Sequence, residues 1–281
     1  GTSIVDLRKR LLGLILRNPG NMSRQTVAVI IPTKNVAAFF RPTLESIRFA
    51  DEVVVVDMSS TDGTQALCAE YVNVTVIDKV DYIYANVNTG FDAATTDWVI
   101  RLDSDEVLTP ELQTEILTFL VSPPANINTI RFLGRHHMFG LPMSWGVGHP
   151  SRSMRNHMFR KGTARYPCKQ EHEDLDVSAD SIDFKHPYDH YTNHTVEEVV
   201  QKFNYYTQRD VERLTQHERK AENPFKLFYQ GLRLFVLYYI QWKGYRDGML
   251  GFYSSLFRGP IYLWIDRAKR WEVSRQEELK K

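Results

Sequence analysis

Three acidic residues, Asp103, Asp105 and Glu106, stand within four positions of one another in the segment VIRLDSDEVLTPEL (99–112), directly after an apolar run. On an extended segment the side chains of Asp103 and Asp105 point to the same side. Two carboxylates so placed repel each other unless a positive group offsets their charge. A hard divalent cation, Mg²⁺ or Mn²⁺, does this with oxygen ligands and keeps positions open for phosphate. The segment therefore predicts either a metal and phosphate site or a solvated acidic turn before a helix that begins near Thr109.

A second polar group follows another apolar run, in VVVVDMSSTDGT (53–64). Asp57 ends this run, and a carboxylate at such a place can accept an N–H from a nucleobase. Ser60, Thr61 and Asp62 then form a polar turn, which we expect to cap the next helix. For Asp57 the sequence favours a binding role, and for the three residues of the turn it favours capping.

The elements that position these groups are apolar runs that alternate with helical patterns. Continuous Val and Ile runs separated by helices are typical of a parallel α/β sheet that is buried on both faces. In such sheets ligands bind at the carboxyl ends of the strands, which is where Asn35, Asp57 and Asp103 fall. The sequence predicts strands at 27–32, 52–57, 74–78 and 98–103, with helices within 37–50, 61–71 and 85–96. Over residues 128–192 it predicts short strands and loops.

Composition and charge narrow the class of protein. The 281 residues are 43% hydrophobic and 25% charged, with a formal net charge of +1. These values indicate a folded globular chain, and they argue against a disordered protein and against a nucleic-acid-coating protein. The two cysteines, Cys68 and Cys168, have no metal-ligand spacing. A reduced, cytoplasmic setting is therefore the expectation.

The two ends of the chain differ in character from its middle. Residues 1–25 contain a leucine-rich stretch with Arg and Lys, which predicts an amphipathic helix and a linker. Residues 26–222 carry the α/β pattern, and 223–281 are aromatic and basic, as in YLWIDRAKRW (262–271). No run reaches the ~18 apolar residues of a membrane-spanning helix. The aromatic and basic composition suits a bilayer interface with anionic lipid, although packing of these helices on the α/β domain would explain part of the pattern.

Three motifs occur in a fixed order: VAVIIPTKN (27–35), DEVVVVDMSSTDGT (51–64) and DWVIRLDSDE (97–106). In these motifs the chain resembles the GT-A glycosyltransferases, specifically glycosyltransferase family 2. Within that family it is similar to the bacterial lipopolysaccharide-core transferases of the WaaE/KdtX type, which share a later His-Glu, here 172–173, and a His-Tyr-Thr, here 190–192. The resemblance implies a GT-A, Rossmann-like fold with a mostly parallel sheet flanked by helices and a C-terminal amphipathic helical region.

The resemblance also assigns roles to residues. It places six at the nucleotide-sugar donor: Pro32, Thr33, Asn35, Asp57, Asp103 and Ser104. Of these, Asp57 would hold the edge of the base. Asp105 would coordinate a Mn²⁺ or Mg²⁺ ion that bridges the donor diphosphate, and His190 would complete the metal shell or contact the diphosphate. Met58 and Ser59 depart from the commoner family pattern of Asp and Gly, which leaves the identity of the base open.

The catalytic base is expected in the acidic loop KQEHEDLD (169–176). An inverting transfer needs a carboxylate near the acceptor hydroxyl that is ionised at the working pH and takes up the proton. By the resemblance this base is Glu173, in His-Glu. Asp174 is the alternative, because Glu-Asp is the base motif of the broader family. Ordinary surface charge is the other explanation of an acidic loop.

Together with these patterns, the resemblance implies an inverting, metal-dependent hexosyltransferase that moves a sugar from a nucleotide-sugar, by preference a UDP-sugar, to a lipid-linked glycan or lipopolysaccharide-core acceptor. The expected location is cytoplasmic, peripheral on the inner face of the cell membrane, with no nucleic-acid partner. A nucleotidyltransferase is one alternative, but PTKNVAAFF (32–40) lacks the glycines of its phosphate loop. The other is a non-catalytic membrane-surface adaptor on the same fold, against which the retained Asp103, Asp105 and Glu173 argue.

Overall fold

The computed structural model describes residues 24–149, 153–168, 175–177, 180–192, 194–214 and 223–279. These residues form two compact units. The first consists of the described residues up to Gly134 together with those of Met154–Asp189, and the second of those within Arg135–Ser153 and His190–Lys281. The predicted N-terminal amphipathic helix lies outside the described residues, as does 215–222. The predicted domain boundaries therefore stay predictions.

Four parallel strands form one half of the main sheet: β1 (Val27–Thr33), β2 (Glu52–Asp57), β3 (Val74–Asp78) and β4 (Trp98–Arg101). They lie side by side in the order β3-β2-β1-β4. All seven residues of β1 are buried, because a central parallel strand is covered on both faces. Its alternate residues enter two apolar clusters, one with Val27, Val29 and Ile31 and the other with Ala28 and Ile30.

The other half of the sheet continues from β4 through β8 (Met154–Arg160), β6 (Thr129–Met138), β11 (Ser181–Tyr191) and β5 (Glu106–Leu108). Strand β8 is antiparallel to both β4 and β6. Two shorter pairs complete the strands: β7 (Leu141–Pro142) on β6, and β9 (Ala164–Arg165) with β10 (Asp176–Val177). The sequence predicts only short strands and loops between 128 and 192, so the ten residues of β6 and eleven of β11 correct that expectation. Both strands mix apolar residues with His, Arg and Asp, which weakens the strand signal.

Four helices of the first unit connect these strands: α1 (Arg41–Ser46), α2 (Thr64–Cys68), α3 (Ile83–Ala93) and α4 (Pro110–Val121). Helix α1 is shorter than the predicted 37–50, and Pro42 falls in its first turn, where a missing N–H removes no helical hydrogen bond. Helix α4 begins as predicted. Thr109 is its N-cap, and the Thr109 hydroxyl accepts a hydrogen bond of 3.3 Å from the backbone N–H of Leu112.

Helix α3 packs unusually close to the first strand. A Cβ atom added at Gly90 would lie 2.2 Å from Cγ2 of Ile30, a separation that no side chain can occupy. Gly90 is therefore required for the helix to approach strand β1. This contact fixes α3 on the face of the sheet formed by β1 and β2.

The second unit is mainly helical. Its helices are α5 (Val196–Arg213), α6 (Pro224–Phe235), α7 (Gly248–Leu256) and α8 (Tyr262–Leu279), with π-helical turns at Val236–Gln241 and Phe257–Ile261. Tyr262 of α8 donates a hydrogen bond of 3.1 Å to the carboxylate of Asp210 on α5. Within the described part of the chain, no helix has the length and apolar character needed to cross a bilayer.

The predicted α/β architecture is confirmed. The structure has the expected parallel strands flanked by helices and the expected helical C-terminal region. The predicted ranges of β2 and β3 match the observed strands at every residue.

Candidate active site

The carboxyl ends of the parallel strands bring the predicted polar residues to one edge of the sheet. Thr33 at the end of β1 pairs with Asp57 at the end of β2, and Asp57 pairs with Asp78 at the end of β3. Thr33 and Asp57 are 1% and 0% exposed. Pro32 is also buried, within β1 and opposite Val56, whereas Asn35 is exposed in the following turn.

Both oxygens of the Asp57 carboxylate accept hydrogen bonds. One oxygen accepts from the hydroxyls of Thr33 (2.9 Å) and Ser60 (2.6 Å), and the other from the backbone N–H of Ser60 (2.8 Å) and the side-chain amide of Gln65 (2.8 Å). Burial by itself would raise the pKa of Asp57, but the bonds from Gln65, Ser60 and Thr33 outweigh it and hold this pKa below its usual value. Asp57 is therefore an ionised carboxylate whose roughly four acceptor positions are all used within the protein.

The turns after β1 and β2 are tied together by their own polar side chains. Asn35 has a positive φ of 53°. Its backbone N–H donates to the hydroxyl of Ser60 (2.7 Å), and its side-chain oxygen accepts from the N–H of Thr61 (2.9 Å). These bonds fix the position of both turns at the edge of the sheet, so Asn35 contributes at least to the shape of this edge.

The expectation that the polar turn caps the next helix is correct only in part. The carboxylate of Asp62 accepts the N–H of Thr64, the first residue of helix α2, at 3.0 Å. The N-cap position itself is Gly63, which has a φ of 93° and no capping side chain. Ser60 and Thr61 bond to Asp57 and Asn35 instead, because the neighbouring turn offers them partners that a sequence does not show.

The acidic turn after β4 is also held by internal bonds. The carboxylate of Asp103, one third exposed, accepts from a guanidinium nitrogen of Arg101 at 2.7 Å. The backbone N–H of Asp103 donates to the buried carboxylate of Glu106 at 2.8 Å. The hydroxyl of Thr43 donates to the backbone carbonyl of Ser104 at 2.7 Å. Asp103 and Ser104 therefore stand in a defined turn on the same edge of the sheet as Asp57.

Arg101 is a site residue that the sequence analysis missed. Burial of Arg101 disfavours its charged guanidinium. The negative charge of Asp103 nevertheless keeps the pKa of Arg101 above its usual value, with smaller contributions from Tyr166, Glu106 and Tyr188. A signal for it was present, since Arg101 precedes Asp103 by two positions and side chains at that spacing on an extended segment share a side. The positive group that offsets the charge of Asp103 is, in this structure, a residue of the protein.

The other predicted site residues fall in different places. Asp105 is half-buried in the acidic turn. His190 belongs to the second unit, where its ring centroid lies 5.1 Å from that of His136. Glu173 and Asp174 lie outside the described residues. The roles predicted for these four residues stay predictions.

The acidic turn suits a divalent cation that is shared with a phosphate. Among the described residues, no three His, Cys, Asp or Glu side chains come together as a ready-made metal site. Protein sites for Mg²⁺ do not require such a set, because this ion is usually held by one or two carboxylates together with substrate phosphates. Asp103 and Asp105 supply oxygen ligands of that kind.

Two stacked tyrosines lie beside the acidic turn. The rings of Tyr84, on α3, and Tyr166 are nearly parallel with centroids 4.3 Å apart. Asn88 fixes the backbone of Tyr166 by donating to its carbonyl (2.9 Å) and accepting from its N–H (3.0 Å). Burial raises the pKa of Tyr166, and the charge of Asp103 raises it further against the opposing effect of Arg101. Tyr166 is therefore a neutral phenol near the carboxylates of the turn.

Comparison with known proteins finds a family match over part of the chain and relatives over most of it. Residues 28–164 match the family described as glycosyl transferase family 2. An uncharacterized glycosyltransferase of Rickettsia felis is 24% identical over 251 residues, which cover 83% of this chain and 88% of the relative. The lipopolysaccharide core biosynthesis glycosyltransferase LpsC of Rhizobium meliloti is 24% identical over 245 residues, or 85% and 89% of the two chains.

Among solved structures, the mannosyltransferase PcManGT from Pyrobaculum calidifontis, in complex with GDP-Man and Mn²⁺, is 17% identical. The superposed region covers 78% of this chain and 72% of the mannosyltransferase chain, with a TM-score of 0.45. The matched segment 28–164 contains the motifs 51–64 and 97–106 in full and the motif 27–35 from Ala28 onward. The chain therefore carries a glycosyltransferase family 2 domain over residues 28–164 and is a glycosyltransferase.

Proposed function

We propose that the protein is an inverting, metal-dependent glycosyltransferase that moves a sugar from a nucleotide-sugar to a lipid-linked glycan or a lipopolysaccharide-core acceptor. The observation that carries this proposal is the carboxyl edge of the parallel sheet, where Thr33, Asp57 and the Asp103 turn stand at neighbouring strand ends. A family 2 domain with this edge favours sugar transfer over the nucleotidyltransferase and adaptor alternatives.

The nucleoside of the donor is proposed to bind where the turns after β1 and β2 meet, with Pro32, Thr33, Asn35 and Asp57 around it. UDP is the nucleotide that we propose by preference. Its uracil presents an N–H that a carboxylate such as Asp57 can accept, although the bases of GDP and dTDP present one as well. Since the four acceptor positions of Asp57 are used internally, a base N–H must replace one of the present donors. Gln65 is the donor most easily replaced, because its amide stands at the end of a flexible side chain.

The diphosphate is proposed to bind at the acidic turn with a Mn²⁺ or Mg²⁺ ion held by Asp105, with Asp103 and Ser104 on the donor side. Such an ion acts as a Lewis acid on the departing nucleoside diphosphate. Arg101 pairs with Asp103 and orients its carboxylate before the donor arrives. His190 is proposed as a further ligand of the ion or a contact of the diphosphate.

The base of the transfer is proposed to be Glu173, with Asp174 as the alternative. In an inverting reaction the acceptor hydroxyl attacks the sugar carbon as the nucleoside diphosphate leaves, and the base takes the proton of that hydroxyl. A carboxylate serves this purpose if its pKa stays below the working pH, so that it is ionised when the acceptor binds.

The acceptor is proposed to be a lipid-linked glycan or lipopolysaccharide core at the inner face of the cell membrane. The relative LpsC is named for lipopolysaccharide core biosynthesis, which supports this acceptor class. The aromatic and basic C-terminal helices support a peripheral location at a bilayer, since this composition suits the interface of a membrane with anionic lipid.

The first experiment is calorimetric titration of UDP with and without Mn²⁺, on the wild type, Asp105→Ala and Asp92→Ala. Asp92 is a matched control, because its carboxylate is 59% exposed and forms an ion pair with the equally exposed Arg165. We expect Mn²⁺-dependent binding to the wild type and the control, and binding at least tenfold weaker to Asp105→Ala. Equal binding to all three proteins would contradict the metal role of Asp105. Absence of UDP binding to the wild type would contradict UDP as the nucleotide, and GDP, CMP and dTDP would be titrated next.

A further inference from the structure

One face of helix α6 and the turn that follows is apolar and exposed. The side chains on it, here called the α6 stripe, are Phe225, Phe228, Tyr229, Leu232, Val236 and Ile240. Phe225 is 86% exposed, Tyr229 64% and Phe228 62%, and the least exposed member, Val236, is 37% exposed. Large apolar side chains grouped in this way on one surface mark an interaction site.

The stripe is continuous along the helix. At about 100° of rotation per residue, positions 225, 228, 229, 232 and 236 fall within roughly 100° of arc. The opposite side of the helix is packed. A Cβ atom at Gly231 would lie 2.7 Å from the indole nitrogen of Trp264 on helix α8. The same helix thus has one packed side and one exposed side, and the exposed side carries large apolar residues.

Positive charge borders the stripe. Lys226 and Arg233 fall together at one edge of it, since both lie about 80–100° from Phe225 around the helix axis. The segment 223–265 has five exposed cations: Lys226, Arg233, Lys243, Arg246 and Arg258. Its one acidic residue, Asp247, accepts hydrogen bonds from the backbone N–H groups of Ser144 and Trp145.

We infer that the α6 stripe is a membrane-docking surface that inserts into the interface of a bilayer containing anionic phospholipid. Exposed Phe and Leu side chains enter the boundary of the acyl region, Tyr side chains suit the headgroup level, and the bordering cations meet lipid phosphate. A second copy of the chain fits this surface less well. In a two-fold symmetric interface with the two α6 helices antiparallel, the surface would lie on itself and the same cations would come together. The inference deepens the membrane location in the proposed function and does not depend on which sugar is transferred.

The surface is tested by sedimentation of the full chain with phosphatidylcholine vesicles, with and without phosphatidylglycerol. We expect the wild type to bind the anionic vesicles and Phe225→Glu/Phe228→Glu to bind them at least tenfold more weakly. Val72→Glu is the matched control, because Val72 is fully exposed in the first unit, and this variant is expected to bind as the wild type does. Lys226→Gln/Arg233→Gln is expected to lose about fivefold per cation on anionic vesicles alone.

Several results would overturn the inference. Wild-type binding to neither vesicle would do so, as would equal binding by the wild type and Phe225→Glu/Phe228→Glu. A dimer in light scattering that this variant abolishes, without any vesicle binding, would assign the surface to a second copy of the chain. Circular dichroism and UDP titration on the same variants separate this outcome from a failure of folding or of the proposed function, because vesicle binding requires no sugar nucleotide.

Discussion

The four hydrogen bonds of Asp57 predict a large loss of stability in Asp57→Asn. The variant keeps the shape of the side chain but replaces one acceptor oxygen by an NH₂ group. Suppose that the NH₂ group replaces the oxygen that accepts from the Ser60 N–H and the Gln65 amide. The Gln65 amide can then rotate so that its oxygen accepts from the NH₂ group, but the Ser60 N–H loses its acceptor. An orphaned, partly buried N–H costs about 1–3 kcal/mol, and bonds to a neutral acceptor are weaker than those to a carboxylate. We therefore expect a loss of about 3 kcal/mol in the free energy of unfolding at pH 7.

The assay is urea unfolding of both variants against the wild type, where 3 kcal/mol lowers the midpoint by roughly 1–2 M. Asp92→Asn is the matched control, since its ion pair is exposed and such pairs contribute about 0–1 kcal/mol. A loss in Asp57→Asn no larger than that in Asp92→Asn would refute the reasoning, because the four contacts would then contribute nothing beyond a surface pair.

The same variant has a predicted pH dependence. The pKa of Asp57 is lower in the folded protein than in the unfolded chain, where it is about 3.9. Its ionised form therefore stabilises the fold above that value, and this contribution is lost as the pH falls through the lower, folded pKa. The difference in unfolding free energy between the wild type and Asp57→Asn should be constant above pH 5 and should shrink below pH 4. A difference that grows on acidification would show that the carboxylate is destabilising in the folded state.

Three further variants test other parts of the structure. Arg101→Gln removes the guanidinium that pairs with the carboxylate of Asp103. Mn²⁺ titrated against the protein without donor should then bind up to fivefold more tightly, because it no longer competes with the guanidinium for that carboxylate. Weaker binding would mean that the guanidinium assists the metal. Gly90→Ala should lower the free energy of unfolding, measured in urea, by about 1–3 kcal/mol. The same substitution should cost less in an Ile30→Ala background, because that variant lacks the clashing methyl group. Equal costs in the two backgrounds would contradict the clash. Glu173→Gln should lower kcat by 10²–10⁴-fold and leave UDP binding unchanged; the same result in Asp174→Asn instead would make Asp174 the base.

The parallel strands could be predicted from the sequence because their signal is local. A strand buried on both faces is a continuous apolar run, and β2 and β3 were found to the residue for that reason. Strands β6 and β11 carry polar residues on one side, and their pairing depends on segments far away in the chain. Helix ends were also missed, as in α1, because the apolar pattern of 37–50 extends over turns at both ends of the helix.

The site was predictable in its positions but not in its connections. A strand-end carboxylate at Asp57 follows from the apolar run before it, whereas its bond to Gln65 depends on how helix α2 returns to the sheet. The role of Arg101 was within reach, because its spacing from Asp103 is the same two residues that places Asp105 beside Asp103. The acidic residues by themselves predict a metal ion as the source of positive charge, whereas Arg101 is a source within the chain.

These internal partners change how ligand binding at this edge should be understood. If Asp57 and Asp103 were exposed to water, a donor would displace water molecules and its affinity would depend on the groups that it touches. In this structure a base that binds to Asp57 has to exchange with a present donor such as Gln65, and a ligand of the Asp103 oxygen that Arg101 holds has to exchange with Arg101. The strength of those internal bonds is then subtracted from the affinity of the ligand, and a net bond of this kind is about 1 kcal/mol, or roughly fivefold. Substitutions at Gln65 and Arg101 should therefore alter donor and metal affinity even if neither residue contacts the donor or the metal ion.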